Sequence, residues 1–184
     1  MIRKEAIELI SNSIGNNPIV SANGFISRDL FDVHPSDSNF YMIGSMGLSS
    51  SIGLGLALKF PKKRIYIFDG DGNILMNLGS LTTIGNISPK NLVHIIYDSE
   101  SHESTGGQPT STNKIDLAKI AKSANYKVFK TSTKNGLKLI LKKIKSEHGP
   151  TLVLVKVKKT SDVSKRISLS PYTIRDRFMK SFKH

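Results

Sequence analysis

Cysteine is absent from this chain of 184 residues. That excludes a disulfide framework, thiolate metal ligands and a thiol nucleophile. Acidic side chains are scarce: 14 Asp and Glu stand against 27 Lys and Arg, for a formal charge of +13. No apolar run approaches the roughly 20 residues a membrane-spanning helix needs. The opening Met1-Ile2-Arg3-Lys4-Glu5 is charged and lacks the apolar core of a signal peptide, so a soluble cytoplasmic protein with no membrane partner is expected. Internal repeats are also missing. The length suffices for one domain with a real core.

The positive charge admits three readings. Nucleic-acid binding is one. Against it, the basic residues are spread along the chain and cluster only at Lys138 to Lys145 and Lys156 to Arg166, without interleaved aromatics, so no nucleic-acid partner is expected. A solvated lysine-rich surface is the plain reading. A field that draws in an anionic cofactor and substrate fits the motifs below.

Apolar periodicity predicts helices over Ile2 to Ile14, Phe25 to Asp32, Leu48 to Phe60, Asn73 to Ile84, Lys114 to Ser123 and Asn135 to Lys145. Strands are expected at Ile19 to Ala22, Phe40 to Ile43, Arg64 to Phe68, Leu92 to Tyr97, Tyr126 to Lys130 and Thr151 to Val157. Alternating strands and helices indicate an α/β fold with a doubly wound parallel sheet. The last strand mixes Val153, Val155 and Val157 with Lys156 and Lys158, which suggests an edge position. Gly53, Gly55 and Ala57 cost helix stability and suggest a neighbour pressed against that helix. The tail carries Tyr172, Ile174, Phe178, Met179 and Phe182, the makings of a docking helix. Residues 1–158 are read as the domain and 159–184 as a basic tail docking on it or on a partner.

The strand ending at Phe68 runs into Asp69-Gly70-Asp71-Gly72-Asn73, and the next strand ends at Asp98-Ser99-Glu100-Ser101. If those strands are parallel neighbours, both tips meet at the carboxyl edge, where open α/β sheets bind ligands. Glycines at 70 and 72 admit a phosphate close to the backbone, and the following helix start offers free N–H groups. One carboxylate with neutral oxygens suits Mg²⁺ when a diphosphate completes its shell. The bland reading is a tight strand-to-helix turn with a capping Asp. Asn23, Gly24 and Ser27 follow the first strand and could reach a diphosphate. Arg28 has a surface ion pair as its simpler reading, His94 a structural role inside a strand, and Met46 that of core filler.

Gly44-Ser45-Met46-Gly47, Gly70-Asp71-Gly72, Asn91-Leu92-Val93-His94 and Ser104-Thr105-Gly106-Gly107-Gln108-Pro109-Thr110 occur in an order that resembles the diphosphate-binding domain of thiamine diphosphate (ThDP)-dependent 2-oxoacid decarboxylases. Ser27-Arg28-Asp29-Leu30-Phe31, Asn77-Leu78-Gly79-Ser80-Leu81, His102 to Gln108, and Ser170-Pro171 with Arg177-Phe178-Met179 are most similar to the phosphonopyruvate decarboxylase branch, with sulfopyruvate decarboxylase as near relative. The resemblance implies ThDP and Mg²⁺ as cofactors. It implies Asp71, Ser99 and the Ser101 carbonyl as metal ligands. Ser99 departs from the family, which has an Asn there, and Asp98 is the alternative ligand. Cofactor contacts are implied for Gly44, Ser45, Met46, Gly70, Asp71, Gly72, Asn73, Ser101, Ser104 and Thr105, with Met46 beneath the bent cofactor. His102 is the candidate to bind an anionic substrate group or move a proton, or else a solvated loop histidine.

The family's second domain, which holds the aminopyrimidine and supplies an activating glutamate, has no room in this chain. A separate pyrimidine-domain subunit is therefore expected, with the active site at a hetero-oligomer interface and an anionic 2-oxoacid as substrate. Phosphonopyruvate is the first expectation and sulfopyruvate the alternative. A non-catalytic ThDP-fold protein also stays open, because Ser99 weakens the metal set.

Overall fold

A computed structural model of the chain describes residues 1–183. The helices are α1 (Arg3–Ile14), α2 (Phe25–Val33), α3 (Ser49–Lys59), α4 (Asp71–Leu75), α5 (Gly79–Ile87), α6 (Leu117–Ser123), α7 (Lys134–Ile144) and α8 (Pro171–Lys180). The strands are β1 (Ile19–Ser21), β2 (Asn39–Tyr41), β3 (Ile65–Gly70), β4 (Leu92–Asp98), β5 (Ser101–His102), β6 (Gln108–Pro109), β7 (Lys127–Thr131) and β8 (Thr151–Lys156). Six of them form one sheet in the order β2-β1-β3-β4-β8-β7, with every neighbouring pair parallel, and β5 and β6 form a separate antiparallel pair. The expected doubly wound α/β fold is what forms.

Parallel sheets need both faces covered. On one face Ala6, Ile7 and Ile10 of α1, Ile26 and Leu30 of α2, and Leu137, Leu141 and Ile144 of α7 pack on Phe68, Ile95, Tyr97, Val153 and Val155. On the other, Ala57 of α3, Ile74 of α4, Leu81 and Ile84 of α5, and Leu117 and Ala121 of α6 pack on Ile65, Ile67, Ile96, Leu152 and Leu154. The chain leaves β1 toward β2 on one side and toward β3 on the other. The order therefore reverses between β1 and β3, and the loops after these two strands frame the switch-point crevice.

Two expectations need correction. β8 lies inside the sheet, between β4 and β7, and the edge strands are β2 and β7. The valines that suggested a one-sided strand alternate with Leu152 and Leu154 on the other face, and Lys156 stands only at the strand's exit, where it meets Asp98. The helix expected over Asn73 to Ile84 is broken into α4 and α5. Between them the backbone tightens into i to i−3 bonds (Met76 N to Asn73 O, Asn77 N to Ile74 O), while the Asn77 side chain donates to Gly47 O at 3.1 Å.

Among the described residues no helix is long and apolar enough to cross a membrane. Helix α8 lies along β2. Ile174 and Phe178 are buried there, and Phe178 packs on Phe40 and Phe182 with ring centroids 5.3 and 5.1 Å away. Tyr172 and Met179 of the same helix face outward.

The glycines of α3 divide by face. A Cβ on Gly53 would stand 2.4 Å from Ile67 Cγ1, while one on Gly55 would meet nothing within 4 Å. Gly53→Ala should lower stability, since overpacking of about 1–3 kcal/mol outweighs a helix-propensity gain of about 1 kcal/mol. Gly55→Ala should raise it by about 0.5–1 kcal/mol. Urea unfolding midpoints of opposite sign check the pair; a shared sign contradicts this packing.

Candidate active site

The register of β3 on β4 places Gly70 opposite Tyr97, so Asp71, the first residue of α4, and Asp98, the last of β4, emerge side by side at the carboxyl edge. Both carboxylates are buried. Asp71 Oδ2 accepts from the Thr110 hydroxyl at 2.6 Å and from Ser101 N at 3.1 Å. The Thr112 hydroxyl donates to Asp98 Oδ1 at 2.9 Å and lies 3.4 Å from Asp71 Oδ2. Asp98 also has a cation: Lys156 Nζ is 2.7 Å from its Oδ2. Burial lowers the Lys156 amine's pKa, and Asp98 and Glu100 more than reverse this, leaving it above its ordinary value. Among the described residues Asp71 has no basic partner. Burial pushes its carboxyl above the usual range, the Thr110 hydroxyl pulls it back, and Asp98 pushes it up again. An ionised buried acid beside a second acid calls for a cation.

A segment from Ser99 to Thr110 folds over this edge as a small flap, built on β5 and β6 and turned by Gly106 and Gly107 at positive φ. The Ser99 hydroxyl donates to the Ser101 carbonyl at 3.3 Å. That separation is close to the ~3 Å between neighbouring oxygens on an octahedral Mg²⁺. Asp98 is fully engaged by Lys156, Thr112 and Glu100 N, which disfavours it as the replacement ligand.

The cleft between the flap and the switch point is lined by Asn23, Met46, Gly70, Asp71, Gly72, Asn73, Ser99, Ser101, His102, Ser104 and Thr105, all expected there, together with Arg3, Phe25, Ile26, Tyr97 and Glu103, which sequence reasoning did not assign to it. Gly24 and Gly72 supply bare backbone. A Cβ on Gly72 would stand 2.4 Å from His102 Nδ1, and one on Gly24 would stand 2.8 Å from Ser104 Oγ. Close approach to the main chain is what a phosphate requires.

Four expected contacts do not line this cleft, and Gly24, behind Ser104, lines a neighbouring cavity with Ser27 and Arg28. The Ser27 hydroxyl is buried on Ala22 O at 2.8 Å, Ser21 Oγ at 2.9 Å and Met42 O at 3.0 Å, so it ties the ends of β1 and β2 together and does not face a ligand. Gly44 and Ser45 lie on the outer side of their loop, beside a groove formed with Ile43, Leu48, Pro171 and Ile174. Met46 of that loop borders the cleft while 38% exposed, and Gly47 beside it is buried. Arg28 has no ion pair among the described residues and lies over the Phe25 ring, 5.2 Å from its centroid.

A second network braces the cleft from below. Asp69 Oδ2 accepts from Ser49 Oγ at 3.0 Å and faces His94 Nε2 at 2.9 Å; Oδ1 accepts from Gly70 N at 2.8 Å and Asn73 Nδ2 at 2.5 Å. The Asn73 side-chain oxygen accepts from Gly47 N at 2.8 Å. The Asn73 side chain therefore clamps the Met46 loop, and His94 is structural. In the sequence Asp69 stood beside the glycine-flanked Asp71, and nothing local marked it as the brace.

Among the described residues no three His, Cys, Asp or Glu side chains gather into a self-sufficient metal site. The donors at hand are one carboxylate, a hydroxyl and a carbonyl around bare glycine backbone. That set fits Mg²⁺ and a diphosphate, each completing the other.

Comparison with known proteins agrees. Residues 13–155 match the model of the thiamine pyrophosphate enzyme C-terminal TPP-binding domain. The chain is 38% identical to the sulfopyruvate decarboxylase subunit beta of Methanocaldococcus jannaschii, over 98% of this chain and 97% of that protein. It is 38% identical to the phosphonopyruvate decarboxylase of Streptomyces viridochromogenes, over 87% of this chain and 41% of that one. A solved structure assigned as a thiamin diphosphate-dependent enzyme from Mycobacterium smegmatis superposes with a TM-score of 0.71, covering 86% of this chain and 32% of that one, at 20% identity, a likeness of fold. The chain belongs to the thiamine pyrophosphate enzymes, as a C-terminal-type TPP-binding domain.

Proposed function

We propose that this chain is the diphosphate-binding subunit of a split ThDP-dependent decarboxylase, acting on a 2-oxoacid that carries a second strong anion. The observation that carries the proposal is Asp71: a buried carboxylate at the switch-point edge, beside bare glycine backbone, with no basic partner among the described residues.

Asp71, the Ser99 hydroxyl and the Ser101 carbonyl would hold Mg²⁺. Gly24, Gly70 and Gly72 would admit the diphosphate, and Met46, fixed through Gly47 and Asn73, would support the cofactor's bend. Bound ThDP supplies the electron sink that accepts the bonding pair as CO₂ leaves the 2-oxoacid. The flap excludes water from the cleft, and His102, half-buried over Gly72, is placed to meet an anionic group or carry a proton there. Glu103 is the glutamate lining the cleft, and Arg3 holds it at 2.9 Å. The glutamate that activates the cofactor's pyrimidine is thus proposed to come from a partner chain, a pyrimidine-domain subunit. The division at residue 158, with the tail as a docking segment, and a cytoplasmic location belong to the same proposal.

The substrate reading has two members. Phosphonopyruvate, giving phosphonoacetaldehyde and CO₂, follows from the motif resemblance. Sulfopyruvate is favoured by a specific finding: the chain matches 97% of a relative named a beta subunit, but 41% of the phosphonopyruvate decarboxylase.

Mixed with the pyrimidine-domain partner, ThDP and Mg²⁺, the chain should release CO₂ from one of these acids, and alone it should not. Turnover of neither acid would leave another 2-oxoacid as substrate, and absence of Mg–ThDP binding by the reconstituted pair would leave a non-catalytic ThDP-fold protein.

Asp71→Asn should weaken Mg–ThDP binding at least ~100-fold, about 2.7 kcal/mol, in calorimetry on the pair. The melting temperature should hold or rise. A carboxyl whose folded pKa is raised opposes folding above that pKa, so its neutral replacement removes this penalty at pH 7. Undiminished binding would place the metal elsewhere.

Ser99→Asn should preserve or tighten Mg²⁺ binding, measured the same way. Complete loss would point to another ligand.

A further inference from the structure

One side of the cleft carries charge that the metal and diphosphate contacts do not use. Arg3, from the first turn of α1, is 5% exposed and reaches the cleft wall. Its Nε binds Asp29 Oδ2 at 2.9 Å, and its Nη1 binds Glu103 Oε2 at 2.9 Å. Its Cζ lies 5.3 Å from the Phe25 ring centroid, so the guanidinium plane is fixed. Asp29 is itself held by the Ser164 hydroxyl at 2.8 Å, so this half of the arrangement is rigid. Glu103, in contrast, rides on the flap.

The same wall gathers polar atoms with no partner among the described residues. Arg3 Nη2, Asn23 Oδ1, Tyr97 Oη, Ser101 Oγ and Glu103 Oε1 are all buried and unpaired, and all five residues line the one cleft. Three of these groups, the guanidinium and the two hydroxyls, can donate hydrogen bonds. Buried donors without acceptors are costly, and their convergence marks a place for an oxyanion. Arginine's fork is the side chain best matched to a tetrahedral oxyanion. Glu103 occupies one arm of that fork with a carboxylate. In the same strip of flap, His102 presses on Gly72 and Ser104 on Gly24, the two bare-backbone positions.

We propose that Arg3 is an anion-binding residue of this cleft and that Glu103 is a built-in competitor for it. A tetrahedral oxyanion entering the cleft takes over the guanidinium, Glu103 is released, and the strip from His102 to Thr105 moves off Gly24 and Gly72, while Ser101 stays bonded to Asp71. The oxyanion is either the diphosphate of the cofactor or the phosphonate or sulfonate of the substrate. This rests on the functional reading above and adds a residue from α1 that no diphosphate motif contains.

The test is calorimetry on the chain paired with its pyrimidine-domain partner, with Mg²⁺–pyrophosphate, with Mg–ThDP and with phosphonopyruvate or sulfopyruvate, comparing wild type, Glu103→Gln and Arg3→Lys. Glu103→Gln removes the competing charge and keeps the flap's shape, so it should tighten at least one anion about fivefold or more. Arg3→Lys keeps the charge but loses the fork, so it should weaken the same anion about tenfold. Circular dichroism checks that Arg3→Lys is folded, and Glu103→Gln decides the matter if it is not. The anion that responds identifies the source. If wild type binds Mg–ThDP and Glu103→Gln tightens none of the anions, the competitor role is overturned and the functional reading stands. If wild type binds no anion at all, both fall together.

Discussion

Two carboxylates that should repel each other, Asp71 and Asp98, stand at one sheet edge, each capped by its own threonine hydroxyl from the same segment, Thr110 and Thr112, and the rest of the site is arranged around that pair. The parallel pairing of β3 and β4 forces them together. Lys156 neutralises Asp98 from the outer side, which leaves Asp71 as the buried charge without a counterion among the described residues. In a low-dielectric site such a charge is tolerated when a cation binds it. The flap holds Asp71 through the Thr110 hydroxyl and the Ser101 N–H, both donating to Oδ2. The proposed metal site and the strand register are thus one construction.

Beneath it, Asp69 does for the architecture what Asp71 does for the chemistry. Its two oxygens take four partners from β3, β4, α3 and α4, so the strand end, the helix start and the Met46 loop move as one body. The break between α4 and α5 belongs to the same design. Asn77 leaves the helical path to hold Gly47 O, while Asn73 holds Gly47 N. The Met46 loop is therefore pinned at its C-terminal end by two asparagines, and its outer residues, Ile43, Ser45 and Leu48, stay exposed. The proposed partner chain would meet a rigid inner wall and an open rim.

The charge of the chain is also resolved by position. Most basic side chains are on the surface, several paired with exposed acids such as Glu5, Glu147 and Asp116. Exposed pairs of this kind contribute little to stability. Arg3 is different: buried, stacked and forked between two acids, it is the basic group of the cleft wall.

Local patterning was sufficient to define the alternation of strands and helices, the glycine-flanked Asp71 at a strand exit and the family, because apolar periodicity and short motifs are properties of contiguous residues. It also separated His94, inside the main sheet, from His102, on the segment that folds over the sheet edge. Gly53 against Ile67 was foreseeable as a close approach, whereas Gly55, on the solvent side of the same helix, was not distinguishable from it. Strand order was out of reach: β8 is central because β4 and β7 flank it, and nothing in its own residues says which strands those will be. The same holds for Ser27, turned onto carbonyls of β1 and β2, and for Thr112, Arg3 and Glu103, far apart along the chain and brought to one edge by the crossovers. Hydrophobic periodicity encodes which face of an element is buried, but contacts between distant polar groups depend on register and crossover, which exist only once the sheet has formed.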